Sequence, residues 1–425
     1  MQFARRPSQR DRRPHPPPSG PGAPRRPAGA PGRTVVVLGA GMGGLVATES
    51  LLHYLDVNDR VVLVDRTPEQ VIGLSLLWVM RGWQQPRAAV IERPSVLDDT
   101  RVDFIQTHVE AIAVPERIVT TTGGHLHYDA LVVALGAELD TSIVPGLTDA
   151  LDHESAGQFY TQGGAERLSS QLNNFGGKRI AVVVTRVPYR CPAAPYEGAM
   201  LIDDLLTERR IRDDVELSLF TPEPAPMPVA GPQLGRSVIE MLEERQIHFH
   251  PKMELRQVDG AARELQFANG DTESYDLLVA VPPHRPPTAV SSMAQGWIPV
   301  DARTLETKFP GVWAVGDVGA IGLVNGKFLP KAGVFATGQA EAAARSVARY
   351  FGYDAPEPAF DGKGGCWLEV GHGEAAYGEG LFLAEPDPAI QFHPPAAEHH
   401  QQKQEEQRAW LARWRSSEDR RIAVR

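Results

Sequence analysis

The sequence predicts an α/β fold with two Rossmann-like dinucleotide-binding domains, the second inserted in the first, plus a small C-terminal region. Three observations carry this expectation. "RTVVVLGAGMGGLVATESLL" joins an apolar strand, a glycine turn and a helix, and "RVVLVDRTP" supplies a second strand ending in Asp65. "RIAVVV", "EGAMLIDDLLTERR" and "VELSLF" repeat strand, helix and strand from Arg179 to Phe220. "YDALVVALGAEL" and "FPGVWAVGDVGA" are two further strands that end in small-residue turns and return to the first sheet. Runs this apolar suit parallel strands covered on both faces.

The length of 425 residues allows two or three cores. The net charge of −10 is unevenly spread, because the leader to Arg33 holds eight arginines against one aspartate. The acidic remainder argues against nucleic acid as a partner. The leader is too rich in Pro, Arg and Gly to bury a core and is expected to be disordered. It has no apolar stretch of the kind a secretory signal needs. No later run reaches the roughly eighteen apolar residues of a membrane span. Two cysteines, Cys191 and Cys366, fit a reducing compartment. The expected location is cytoplasmic, or peripheral on the inner face of the plasma membrane.

Taken in order, Gly39, Gly41 and Gly44 form G-x-G-x-x-G, with Asp65 about twenty residues on. The glycines allow a tight turn and a close approach of backbone to pyrophosphate at a helix N-terminus, where free amides favour anions. Asp65 would accept from ribose hydroxyls. The turn at Gly136 and the Gly316-Asp317 pair are elements a plain NAD dehydrogenase does not need. In two-dinucleotide flavoproteins the Gly-Asp acid bonds the ribityl chain, so the cofactor read here is FAD. The units are a leader (1–33), an FAD domain in two parts (34–150 and 285–350), an inserted Rossmann-like domain (151–284), a C-terminal region (351–395) and a polar tail (396–425). The helix "PQLGRSVIEMLEERQI" and the strand in "YDLLVAVPPHRPP" complete the insert. "GGCWLEVGHGEAAYGEGLFLAEP" reads as a hairpin.

The segment "TRVPYRCPAAPYEG" (Thr185–Gly198) departs from this scheme. A second nucleotide site needs backbone N–H groups aimed at phosphate. Three of the nine residues from Val187 to Pro195 are proline, which has none, and no glycine occurs between Gly177 and Gly198. NAD(P)H as donor is thereby disfavoured. Cys191 precedes a helix whose amides, with Arg186 and Arg190 near in sequence, would favour thiolate. The alternative is a packed, inert thiol. Glu197 could move a proton or cap the helix.

"PYRCPAAPYEGAML", "LLVAVPPHRPP", "VWAVGDV", "LPKAGVFATGQAEA" and "GGCWLEVGHGEAA" together resemble the sulfide:quinone oxidoreductase and flavocytochrome c sulfide dehydrogenase family. The similarity runs from about Thr34 to about Ala412. It implies that Cys191 and Cys366 are the two redox cysteines, meeting near the flavin. It also places Lys331 near the isoalloxazine ring, where a cation would stabilise reduced flavin. Many members carry a third cysteine in the first half, which is absent here, so FAD should be bound without a thioether. By this resemblance hydrosulfide would attack a sulfur bridge, leaving a persulfide on Cys191 and a thiolate on Cys366, and the electrons would reach quinone through the flavin.

Quinone implies membrane access. Trp410, Leu411 and Trp414, with Arg408, Arg413 and Arg415 around them, have the composition of an interfacial helix or of a helix packed on the protein or a second subunit. "VIGLSLLWVMRGW" (Val71–Trp83) reads as core or as a wall of the flavin pocket. His284 reads as a neighbour of the ring or as a structural histidine. The readings left open beside a sulfide:quinone enzyme are a cytochrome c-linked flavin subunit, an NAD(P)H-dependent FAD reductase and a flavin protein without turnover. A homo-oligomer is compatible with all of them.

Overall fold

The computed structural model describes residues 32–415, so the leader and residues 416–425 lie outside the described residues. The first parallel sheet has the order Val312–Ala314, Ala130–Val133, Thr34–Leu38, Arg60–Asp65, Val102–Gln106. Val36 stands between Val62 on one side and Leu131 on the other, and the three central strands bury all their valines except the half-buried Val62. The outer strand Val312–Ala314 comes from much later in the chain, as expected for a returning segment.

Between Ala130 and Val312 the chain builds a second parallel sheet. Its order is Ala156–Gly157, Leu277–Val281, Arg179–Val184, Glu216–Phe220, His248–His250. The two-sheet α/β architecture anticipated from the apolar runs is therefore present. Two antiparallel three-stranded units were not anticipated, one over Val109–His127 and one over Leu255–Ser274. Their strands are short and mix polar with apolar residues, so neither apolar runs nor strict alternation marks them.

The middle of the Val71–Trp83 stretch is core, while its ends, Val71 and Trp83, are exposed. Its helix Leu76–Arg81 is buried throughout and packs against the helices Gln162–Asn173 and Ala194–Glu208. The expected C-terminal hairpin, Lys363–Gly371 with Glu374–Leu381, gains a third strand, Ala389–Ala396. That strand lies at the sheet edge, where Pro394 and Pro395 are tolerated because no neighbour needs their amides.

The terminal helix Ala397–Trp414 corrects one expectation. Trp410 and Trp414 are 6% and 1% exposed and sit in the core beneath the first sheet, with the Trp410 indole donating to Gln70 Oε1 at 2.9 Å. Arg413 pairs with Glu49. An interfacial helix would leave those rings outside, so this stripe is a packing stripe. Among the described residues no helix is long and apolar enough to cross a membrane.

Candidate active site

The glycine turn after Leu38 is shaped for a ligand. Gly39 has φ +99°, and a Cβ there would stand 2.4 Å from the Ala134 carbonyl oxygen; at Gly44 it would stand 1.7 Å from the Gly39 oxygen. Both positions are closed to any side chain. At Gly41 a Cβ would meet nothing within 4 Å, and no side chain caps the helix Met42–Tyr54 that begins there. Free amides beside open space fit a diphosphate. Asp65 lies at the end of its strand, where its carboxylate accepts from the Ala40 N–H at 2.6 Å and the Thr67 N–H at 3.3 Å. It braces the glycine turn.

Gly136 has φ +66° with open space around it, and Gly316 has φ +72° with its N–H donated to Gln339 Oε1 at 2.6 Å. Burial raises the Asp317 carboxyl, and Arg190 and Lys331 oppose it. The Lys331 ammonium donates to the carbonyls of Asp317 (2.7 Å) and Gly319 (3.1 Å) and lies 3.5 Å from the Trp297 ring centroid. Burial brings it down to about 8. An uncapped helix, a buried acid and a neighbouring cation fit the diphosphate, sugar-alcohol chain and ring of FAD.

Cys191 is brought to this region by its own backbone. Its φ of +58° is left-handed, a conformation that costs a non-glycine residue about 1–3 kcal/mol. Two bonds hold it there: its N–H donates to the Lys331 carbonyl at 2.7 Å, and its carbonyl accepts from the Ala194 N–H at 2.9 Å. Cys366 comes from the strand Lys363–Gly371. The neighbouring Cys366 thiol, which donates to the Trp367 carbonyl at 3.5 Å, lowers Cys191 to about 7 despite burial, with Lys403 and the amides of Ala194 and Ala193 adding to the effect. Cys366 is correspondingly raised well above an ordinary thiol.

The arginines expected beside Cys191 are engaged elsewhere. Arg186 pairs with Glu254 and donates to the Leu255 carbonyl, while Arg190 donates to the Tyr160 carbonyl at 2.9 Å. The cation acting on the thiol is Lys403, from the terminal helix. Glu197 does not cap its helix; its buried carboxylate pairs with Lys403, and burial raises it to about 8. Lys403 also lies 3.6 Å from Glu369, which accepts from the Trp78 indole and meets His400 Nδ1, both at 2.8 Å. His284 stands with its Nδ1 on the Pro282 carbonyl and its ring edge-on to Tyr160, and burial lowers it to about 3. It is a neutral, packed histidine.

Both cysteines line a cavity of about 710 Å³ whose walls are apolar, including Trp297, Phe335, Leu368 and Phe392. Its few polar side chains include Lys331, Tyr189, Glu223 and Tyr377; Tyr189 donates to Glu223 at 2.6 Å. Burial raises the Glu223 carboxyl. Sequence reasoning missed Lys403, Glu369 and Glu223. One signal for Lys403 was available: 403, 407, 410 and 414 step by four, three and four, so the tryptophan stripe extends back to Gln407 and Lys403, both buried.

A family model described as "Pyridine nucleotide-disulphide oxidoreductase" matches residues 33–340. The mitochondrial sulfide:quinone oxidoreductase of Dictyostelium discoideum is 26% identical over 301 residues, 67% of this chain and 64% of that protein, thus under two thirds of its length. The mitochondrial sulfide:quinone oxidoreductase of Schizosaccharomyces pombe is 24% identical over 383 residues, covering 83% of this chain and 81% of its own. The X-ray structure of the sulfide:quinone oxidoreductase from Aquifex aeolicus shares the fold, with a TM-score of 0.77 at 21% identity over 90% of this chain and 91% of that one.

Proposed function

This chain belongs to the pyridine nucleotide-disulphide oxidoreductase family, and we propose that it oxidises hydrosulfide, or a related small sulfur donor, at Cys191 and Cys366 and passes the electrons to a quinone. The observation that carries this reading is the thiol pair: the chain's only two cysteines, 175 positions apart in sequence, line the wall of one apolar cavity, close enough for each thiol to shift the other. FAD, held without a covalent link by the Gly39–Gly44 turn, Asp65, Gly136 and the Gly316-Asp317 and Lys331 groups, supplies the two-electron carrier between donor and quinone.

In the oxidised pair, hydrosulfide attacks one sulfur of the bridge and the other leaves as thiolate. The better leaving group is the thiol with the lower pKa. Lys403 lowers both thiols, whereas the amides at the helix start, Ala193 and Ala194, stabilise negative charge on Cys191. This supports the opposite polarity to the one the resemblance suggested: sulfur adds to Cys366 and Cys191 leaves. Glu197, close enough to act electrostatically on both thiols, is placed to take the proton.

The proline-rich turn at Cys191 offers no glycine cradle, and its Ala194 N–H is bonded to the Cys191 carbonyl, which supports a donor other than NAD(P)H. For the acceptor, the cavity has the apolar lining that suits a quinone ring and tail. Its wall residues Val187, Phe328 and Val334 are 52%, 63% and 41% exposed, so membrane contact is proposed at this rim and not at the terminal helix. The test is an anaerobic titration of the yellow protein. Sulfide should bleach the flavin stoichiometrically and NADH should not; rapid bleaching by NADH with none by sulfide would reverse the assignment.

A further inference from the structure

The cavity beside the thiols occupies a place that the fold reserves for another ligand. Four strands of the inserted sheet run parallel in the order His248–His250, Glu216–Phe220, Arg179–Val184, Leu277–Val281. Numbered along the chain they read 3-2-1-4, the order of a dinucleotide-binding unit, whose ligand lies in the crevice at the carboxyl ends of the strands. The cavity opens there. Val187, Tyr189 and Cys191 follow the first of these strands, Glu223 and Met227 follow the second, and all of them line it. In a nucleotide-binding unit the turn after the first strand holds the diphosphate, and an acid beyond the second accepts from the ribose hydroxyls.

The phosphate turn is missing here, but the acid is not. Glu223 stands three residues beyond Phe220, at the place Asp65 takes in the first domain. Its backbone is fixed from both sides: the N–H donates to the Thr221 hydroxyl at 3.2 Å, and the carbonyl accepts from the Lys252 N–H at 3.1 Å. Its carboxyl group is already engaged, because the Tyr189 hydroxyl donates to Oε2 at 2.6 Å. Tyr189 is buried, and the turn that carries it is tied down on either side. The Pro188 carbonyl accepts from the His284 N–H at 2.9 Å, and the Cys191 N–H donates to the Lys331 carbonyl at 2.7 Å. The backbone itself delivers the phenol to the acid.

We propose that Tyr189 is a built-in occupant of the ribose subsite: its hydroxyl takes the acceptor, and its ring the space, that the adenosine half of a nicotinamide nucleotide would need. Tyr189 is then a specificity-determining residue that keeps nucleotides out of the thiol chamber. This role deepens the reading above that the donor is not NAD(P)H, and it acts independently of the missing cradle. The prolines remove affinity for diphosphate, whereas Tyr189 removes affinity for the nucleoside. A side chain of the same chain competes without the association entropy that a free nucleoside must lose, so dissolved nucleotide does not displace it.

The test uses FAD-loaded protein and adenosine, which has the ribose but no phosphate, so the missing cradle does not enter. Binding is read by saturation-transfer NMR and by the shift of the thermal midpoint. Tyr189→Ala should bind adenosine about tenfold tighter than wild type or more, the worth of two hydrogen bonds from a ribose diol to the freed carboxyl group. Adding Glu223→Met, which keeps the bulk and removes the acceptor, should abolish the gain. Tyr189→Leu also removes the hydroxyl and keeps the turn apolar, so it is read in the same way where Tyr189→Ala fails to fold. A folded variant that binds adenosine no better than wild type, or a gain that survives Glu223→Met, overturns the role of Tyr189. The two readings fail separately. NADH that bleaches wild-type flavin while adenosine binds only the variant sinks the donor assignment and upholds Tyr189; adenosine bound equally by wild type sinks Tyr189.

Discussion

Cys191 combines a strained backbone, a tethered amide and a lowered thiol, three features that a packing cysteine does not need. With its pKa lowered to about 7 by Cys366, Lys403 and the helix amides, it is mostly thiolate above that pH and mostly thiol below it. Labelling of the reduced protein should therefore rise through pH 7 and level off near pH 8, about a unit or more before an ordinary cysteine does. A profile still climbing at pH 9 would mean that the thiol is unperturbed. The pair should also behave as a unit. A serine oxygen cannot form a reducible bridge, so Cys191→Ser and Cys366→Ser should each slow sulfide-driven flavin reduction by orders of magnitude. The double variant should be little worse than either single, because residues acting together are strongly non-additive. FAD content should survive, since neither thiol holds the glycine turn. Reduction of Cys366→Ser at the wild-type rate would remove the pair from the chemistry.

Among the elements, the terminal helix is the one whose sequence reads least like its role. It is polar over most of its length, yet it buries Lys403, Gln407, Trp410 and Trp414 along one face. Trp414→Ala should cost about 3–5 kcal/mol in urea unfolding, because the cavity left by a buried indole cannot fully collapse. Unfolding at the wild-type urea midpoint would show that the helix end is not docked. The central parallel strands of both sheets were legible because both of their faces are covered, which writes them as runs of valine, leucine and isoleucine; the edge strands Val102–Gln106, Ala156–Gly157 and His248–His250 carry no such run and were not read. The turn at Cys191 was legible because proline and arginine stand where glycine belongs. Lys403 and Glu369 were not, because their meaning arises only when a helix near the C-terminus is laid across the strand carrying Cys366. That contact is between polar residues, which carry no hydrophobic period. The same holds for Glu223, which has Thr221 beside it in sequence but meets Tyr189 only when the cysteine turn folds against it.

At the scale of the molecule, the two lobes and the C-terminal sheet enclose one apolar cavity, and its mouth sets which face can meet a lipid-soluble acceptor. Val187 comes from the cysteine turn, Phe328 from the segment before Pro330, and Val334 from the start of the helix Gly333–Tyr350. All three are large, apolar and exposed, at 52%, 63% and 41%, and all three line the cavity. Single exposed apolar residues need no explanation, but three around one apolar opening mark a surface that meets something apolar. Phe328→Ser combined with Val334→Ser removes most of that area without touching either cysteine, the glycine turn or the Lys403 cluster. If the rim is where the protein meets lipid and quinone, the double variant should bind liposomes less and show a raised KM for a long-tailed quinone. Its reduction by sulfide under single-turnover conditions should match wild type, because the donor half of the cycle lies at the thiols. The terminal helix, docked through Trp410 and Trp414, should contribute nothing to liposome binding. Stopped-flow reduction by sulfide, followed by reoxidation with quinone, separates the two halves in one experiment. Unchanged liposome binding together with unchanged quinone kinetics would place the acceptor's approach on another face of the molecule.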